Sequence, residues 1–282
     1  MRNTPTLFAC LACAACASAA PAAPPGDAAA HPASEVVDLS SHLGGLEGAF
    51  VLYDRAEDRY IRHDAARAAA RFSPCSTFKI PNSLIALDTG VATGADFAIP
   101  WDRERDPPQP WWDELGLDWK RDHTLASAFR NSVVWYYQEI ARRVGPERMA
   151  AYLARFGYGN RDTSGVVDKF WLSSTLRISA DEQVEFLRRF YDGRLGVSPE
   201  ATRIAKEIFV LERGDGWTLS AKTGSGTSDD GRALGWLVGY VEREDDVYFF
   251  ALNVSGDDAK RVREARVPAA KAILKELGAL PE

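Results

Sequence analysis

The pattern of apolar and polar positions divides the chain into strand-like ends and a helical middle. Gly48-Ala49-Phe50-Val51-Leu52-Tyr53 and Arg59-Tyr60-Ile61 flank the polar turn Asp54-Arg55-Ala56-Glu57-Asp58, which predicts a hairpin. From about Ser76 to Gly214 apolar residues recur at helical spacing, including Leu84-Asp88, Leu125-Val144, Pro146-Phe156 and Ala180-Tyr191. Within that zone the stretch from Ala92 to Lys120 carries Trp101, Pro107, Pro108, Pro110, Trp111 and Trp112. So much proline rules out long elements and predicts a surface loop packed down by aromatics. Strand character returns at 217–223, 234–241 and 247–254, where short turns imply an antiparallel meander. A last helix, from about Arg263 to Leu277, places Val267, Ala270, Ile273, Leu274 and Leu277 on one face and ends at Gly278.

Strands at both ends with helices between them imply one antiparallel sheet assembled from distant segments, covered by helices. The fold class is α/β in the broad sense, of the α+β type. The expected organisation is one catalytic domain, residues 35–282, with a sheet lobe (35–70 and 215–282) and an all-helical lobe (71–214).

The first residues follow another logic. Arg2 precedes an apolar run from Leu7 to Ala17 and then Ser18-Ala19-Ala20, which reads as a signal peptide over residues 1–20. The run is too short to span a bilayer, which takes about 20 apolar residues. Cleavage is expected near Ala19 or Ala20, with Ala22 as the competitor. Residues 21–34, rich in Ala and Pro, read as a flexible lead-in. Export and a periplasmic location follow from that reading. Three of the four cysteines lie in the leader, so Cys75 alone remains and the domain must be held by its core rather than by disulfides.

At 282 residues, with 46% hydrophobic and 26% charged residues, the chain has ample material for that core. Net charge is −6, and basic and acidic residues are mixed along the chain. No basic stripe points to nucleic acid or a membrane surface, so a small-molecule substrate is expected.

Chemistry concentrates at Ser76-Thr77-Phe78-Lys79. Serine and lysine three apart on a helix share a face, so the lysine can take the serine's proton. Pro74 sets the helix start at Ser76, where backbone N–H groups and the helix dipole favour developing negative charge. Pro81 is tolerable because it falls within the first turns. Ser-x-x-Lys alone recurs by chance in many proteins. Lys222-Thr223-Gly224, at a strand end and followed by Ser225-Gly226, gives the second feature, with glycine allowing close approach to the backbone. The third is Ser132-Val133-Val134 in the helical zone.

In that order the three motifs match the penicillin-recognising serine enzymes. Within them the chain resembles the class D (oxacillinase-type) β-lactamases through residues 74–82, Ser132-Val133-Val134-Trp135, Tyr158-Gly159-Asn160, Phe170-Trp171-Leu172 and Lys222-Thr223-Gly224, over about residues 46–278. The resemblance implies the β-lactamase and transpeptidase-like fold and hydrolysis of β-lactams. It implies Ser76 as the nucleophile, an oxyanion hole from the N–H groups of Ser76 and Ser225, and Ser132 relaying protons to the leaving nitrogen. Lys222 would supply positive potential. Val134, Thr223, Gly224 and Arg266 would contact substrate, Arg266 pairing with its carboxylate and Arg263 being the competitor. No metal or other cofactor is implied. A free lysine, with a pKa near 10.4, would be a charged and useless base at neutral pH, and burial lowers that value. In the resembled family the neutral amine takes up CO₂, so Lys79 is expected to be modified as a carbamate stabilised by Trp171. Phe72, Phe78, Val133, Phe170 and Trp171 are the candidates for apolar surroundings. The chain departs from common family forms at Ser173-Ser174-Thr175 and Ser225-Gly226-Thr227.

Rival readings fit less well. Gly-x-Ser-x-Gly is absent, His31, His42, His63 and His123 form no motif, and no histidine cluster has metal spacing. A β-lactam sensor domain, acylated without turnover, is the non-enzyme alternative. A cleavable leader directly before the domain disfavours it.

Overall fold

The computed structural model describes Met1 and residues 33–281 apart from 245, so the expected leader and most of the lead-in lie outside the described residues. In chain order the strands and helices are β1 (Ala33–Val36), β2 (Glu47–Asp54), β3 (Arg59–His63), α1 (Ala65–Ala69), α2 (Lys79–Asp88), β4 (Ala98–Ile99), α3 (Pro110–Glu114), β5 (His123–Thr124) and α4 (Leu125–Arg130). There follow α5 (Val134–Val144), α6 (Pro146–Phe156), α7 (Ala180–Tyr191), α8 (Pro199–Phe209), β6 (Val210–Gly214), β7 (Trp217–Thr227), β8 (Ala233–Arg243), β9 (Asp246–Gly256) and α9 (Ala259–Glu276).

Seven strands form one sheet in the order β1-β3-β2-β9-β8-β7-β6. The expected β2–β3 hairpin and the β7-β8-β9 meander are both present. The sheet is mixed rather than purely antiparallel, because β1 runs parallel to β3 at one edge. That strand begins at Ala33, inside the stretch expected to be a flexible lead-in. The opposite edge strand, β6, lies in the zone read as helical. Its residues are mostly exposed, so it carries no apolar run to mark it.

Both faces of the sheet are covered, which is why β8 and β9 read as almost continuous apolar runs. Side chains alternate between faces along a strand. On β9, Phe250 and Leu252 join α9 residues Val262, Ala270, Ile273 and Leu274 in one core. Phe249 and Ala251 face the other way, into the larger core shared with the helical region. The last helix therefore covers one face, as its spacing implies. It starts earlier than expected, because the Asp258 side chain accepts from Lys260 N–H and Arg261 N–H and caps it.

Two departures shape the site. The segment read as one helix, 125–144, is two, α4 and α5, broken at Ser132, which sits at φ 54°. The strand read as 217–223 continues through two glycines to Thr227, still paired with β8. Among the described residues no helix is long and apolar enough to cross a membrane.

Candidate active site

The serine and lysine of Ser-x-x-Lys are brought together by a tight turn rather than by the expected first turn of an α-helix. Cys75–Phe78 form a 3₁₀ turn and α2 begins only at Lys79. In a 3₁₀ turn residues i and i+3 eclipse. Lys79 Nζ accordingly lies 3.0 Å from Ser76 Oγ. Pro81 falls in the first turn of α2, where its missing N–H breaks no helical bond. Most of α2 is buried all round, so its lysine has nowhere to snorkel and is 1% exposed. Burial brings the Lys79 amine down from 10.5 to about 7. At neutral pH a large share of it is an uncharged base beside the serine.

Ser132 reaches the same place from the break between α4 and α5. Asn131 and Ser132 favour turns over helix interiors, and Ser132 takes up the left-handed conformation that ends α4. The aromatic loop holds that turn. Trp119 Nε1 donates to Asn131 O at 2.9 Å, and Trp135 Nε1 donates to Trp119 O at 2.9 Å. Ser132 Oγ lies 3.1 Å from Lys222 Nζ, which also approaches Thr223 O at 3.2 Å and Thr223 Oγ1 at 3.4 Å. Lys222 is 4% exposed, and burial together with the nearby Lys79 and Arg266 charges pushes its amine well below the usual lysine range. Four groups thus form two pairs, Ser76 with Lys79 and Ser132 with Lys222.

The glycines of β7 have a reason different from ligand access alone. A side chain on Gly224 would place its Cβ 3.1 Å from Pro74 O and 3.2 Å from Thr77 Cγ2. One on Gly226 would overlap Cys75 Sγ and lie 2.7 Å from Ser173 Oγ. The chain's own Pro74–Thr77 turn is the close neighbour. On the other face of the strand, Arg266 Nη1 donates to Gly224 O at 2.8 Å and contacts Ser225 Oγ. Burial and the adjacent Arg263 charge lower its guanidinium to about 10. Arg266 is buried against the strand end, whereas Arg263 is only half-buried.

Trp171, 1% exposed, stacks on Phe78 at 5.1 Å and meets the edge of Phe170 at 5.0 Å, and its carbonyl accepts from Cys75 N–H at 3.1 Å. Phe72 packs instead against Trp236, with Arg67 over its ring. Tyr137, not anticipated, lies over the lysine with Nζ 5.2 Å from the ring centre. Val134 lines an apolar hollow of about 360 Å³ with Trp111, Trp112, Trp119 and Leu172. Lys222 and Thr223 line a separate hollow of mixed polarity, of about 350 Å³, with Phe129 and Arg130. Sequence reasoning also missed Ser73, whose buried hydroxyl donates to Trp171 O at 2.9 Å. No periodicity or motif marks it.

Residues 48–277 match the penicillin binding protein transpeptidase domain family. The chain is 41% identical over 238 residues to β-lactamase OXA-48 of Klebsiella pneumoniae, covering 83% of this chain and 85% of that one. The crystal structure of a class D β-lactamase from Nostoc superposes with a TM-score of 0.79 at 36% identity, over 86% of this chain and 100% of that one. The C-terminal domain of the Bacillus licheniformis BlaR penicillin-receptor is also similar, with a TM-score of 0.81 and 31% identity over 88% of this chain and 98% of that one.

Proposed function

This chain belongs to the class D β-lactamases, serine hydrolases within the penicillin-binding transpeptidase family, and on that premise we propose that it destroys penicillin-type antibiotics by turnover through Ser76 with Lys79 as the base. The observation that carries this reading is the dry Lys79 amine, lowered to about 7 and 3.0 Å from Ser76 Oγ.

In this reading the Ser76 hydroxyl gives its proton to the base and attacks the lactam carbonyl, and the serine ester forms as the ring C–N bond breaks. The N–H groups of Ser76 and Ser225 receive the developing oxyanion. Ser132, backed by the Lys222 amine, passes a proton to the departing nitrogen. The Arg266 fork and the Thr223 hydroxyl suit a substrate carboxylate, and Val134 offers apolar contact beside it. Tyr137 over the buried Lys79 amine, with the Phe78–Trp171 stack at the same turn, fits a site for CO₂, with Trp171 as the stabilising side chain. Carboxylated, Lys79 would present an anionic oxygen as base for both acylation and deacylation. Export through the leader to the periplasm belongs to the same reading, as does resistance of the host to β-lactams.

The likeness to a penicillin receptor supports a second reading, a sensor that is acylated and stalls. A steady-state assay against benzylpenicillin, with and without bicarbonate, separates the two. Continued hydrolysis, stimulated by bicarbonate after degassing, is expected. One equivalent of ring opening followed by a stable adduct on Ser76 would favour the sensor, and a protein showing neither hydrolysis nor an adduct would refute both.

A further inference from the structure

Ser173 was singled out in the sequence only as a departure from common forms, and the structure gives it connections that nothing in the motifs implies. Its hydroxyl accepts from Thr227 N–H at 3.0 Å, at the end of β7. Its own N–H donates to Ser73 Oγ at 2.9 Å, and Ser73 in turn donates to Trp171 O at 2.9 Å. Trp171 O also accepts from Cys75 N–H at 3.1 Å. The circuit closes through space, because Gly226 lies directly against Cys75 Sγ and Ser173 Oγ.

This ring of contacts joins the two strands of backbone from which the oxyanion hole would be built. Cys75 precedes Ser76, and Gly226 follows Ser225. Catalytic donors must be held to a fraction of an ångström to act on a transition state. Ser173 is held at φ 48°, a conformation uncommon for residues other than glycine, asparagine and aspartate. It is exposed at the rim rather than part of the core, so losing its hydroxyl leaves the core intact.

We infer that Ser173 is a positioning residue that sets the separation of the Ser76 and Ser225 N–H groups by tying the end of β7 to the nucleophile turn. The inference rests on the reading of those two N–H groups given above. It is a role in geometry, with no contact to the reacting atoms.

The test compares Ser173→Ala, which loses the acceptor, with Ser173→Asn, which keeps one and tolerates the left-handed backbone. Pre-steady-state acylation by benzylpenicillin should slow on the order of 10-fold in the alanine variant, with affinity of the pre-acylation complex unchanged. Affinity for phenylboronic acid, whose tetrahedral adduct on the serine oxygen sets a hydroxyl in the oxyanion position, should fall by the same factor. The asparagine variant should recover most of both. Wild-type acylation in Ser173→Ala, a slower rate with unchanged boronate affinity, or a loss that asparagine does not recover would each overturn the inference. If Ser173→Ala does not fold, Ser73→Ala, which removes the acceptor of Ser173 N–H, should show the same paired losses, and wild-type values there would overturn it. Ser76→Ala separates the two levels. Adduct formation without the Ser76 hydroxyl would bring down the underlying reading, whereas its abolition beside a normal Ser173→Ala enzyme brings down this inference alone.

Discussion

At the scale of single residues, the unusual investment is in two amines kept out of water. An isolated buried charge is costly enough that the group gives up its proton instead, and Lys79 and Lys222 are both shifted in that direction. For Lys79 the consequence is an amine of lowered basicity 3.0 Å from Ser76 Oγ. Replacing Lys79 by alanine should slow acylation and nearly abolish deacylation, so that mass spectrometry finds the serine ester accumulating. A variant with full turnover would remove the lysine from the mechanism. Ser132→Ala should lower kcat on the order of 100-fold, the usual scale for a lost proton relay, and a kcat within threefold of wild type would assign the proton to another group. The spacing of Ser76 and Lys79 was legible from sequence. The pairing of Ser132 with Lys222, 90 residues apart, was not, since local pattern carries no information on which distant side chains meet.

At the scale of elements, the candidate site is made where regular structure stops. A 3₁₀ turn ahead of α2 eclipses Ser76 and Lys79, and a left-handed residue between α4 and α5 turns Ser132 toward β7. Periodicity foresees one helix over 125–144, because the apolar spacing runs through a break whose only sign is the pair Asn131-Ser132. β7 shows the reverse. Its glycines suggest a strand end, yet they let the strand lie against Pro74 and Thr77 while remaining paired with β8. Gly224→Ala would force its neighbours to give by a few tenths of an ångström. It should destabilise the fold by about 1–3 kcal/mol, as overpacking does, and lower kcat/KM with it. Denaturant unfolding and steady-state kinetics would show both, and an unchanged midpoint would mean that the turn can retreat from the strand.

At the scale of the whole molecule, a sheet buried on both faces holds the Ser76 turn, the β7 strand end and α9 in register, and it does so without a disulfide among the described residues, where Cys75 is free. The depressed Lys79 amine leaves a mark on global stability. Lys79 has a folded value near 7 against 10.5 for an ordinary lysine, so between those values the unfolded chain binds a proton that the native protein does not. Stability should therefore rise with pH from about 7 upward and fall as pH drops toward 7, by a few kcal/mol at most. In bicarbonate-free buffer, Lys79→Met should flatten the slope measured by denaturant melts between pH 7 and 9. A slope as steep as that of the wild type would place its origin elsewhere.

By itself the sequence determined the strand and helix periods, the apolar strands that must be covered on both faces, and the residue types at Ser76, Lys79, Ser132 and Lys222. Those are local properties, written in spacing and in the chemistry of single side chains. Tertiary structure alone decided that Arg266 lies under Gly224, that Trp119 holds the turn before Ser132, and that Ser73 and Ser173 bind the strand end to the Ser76 turn. These contacts join segments separated by up to 100 residues, and a buried or rim hydroxyl has no periodicity from which its partner could be read.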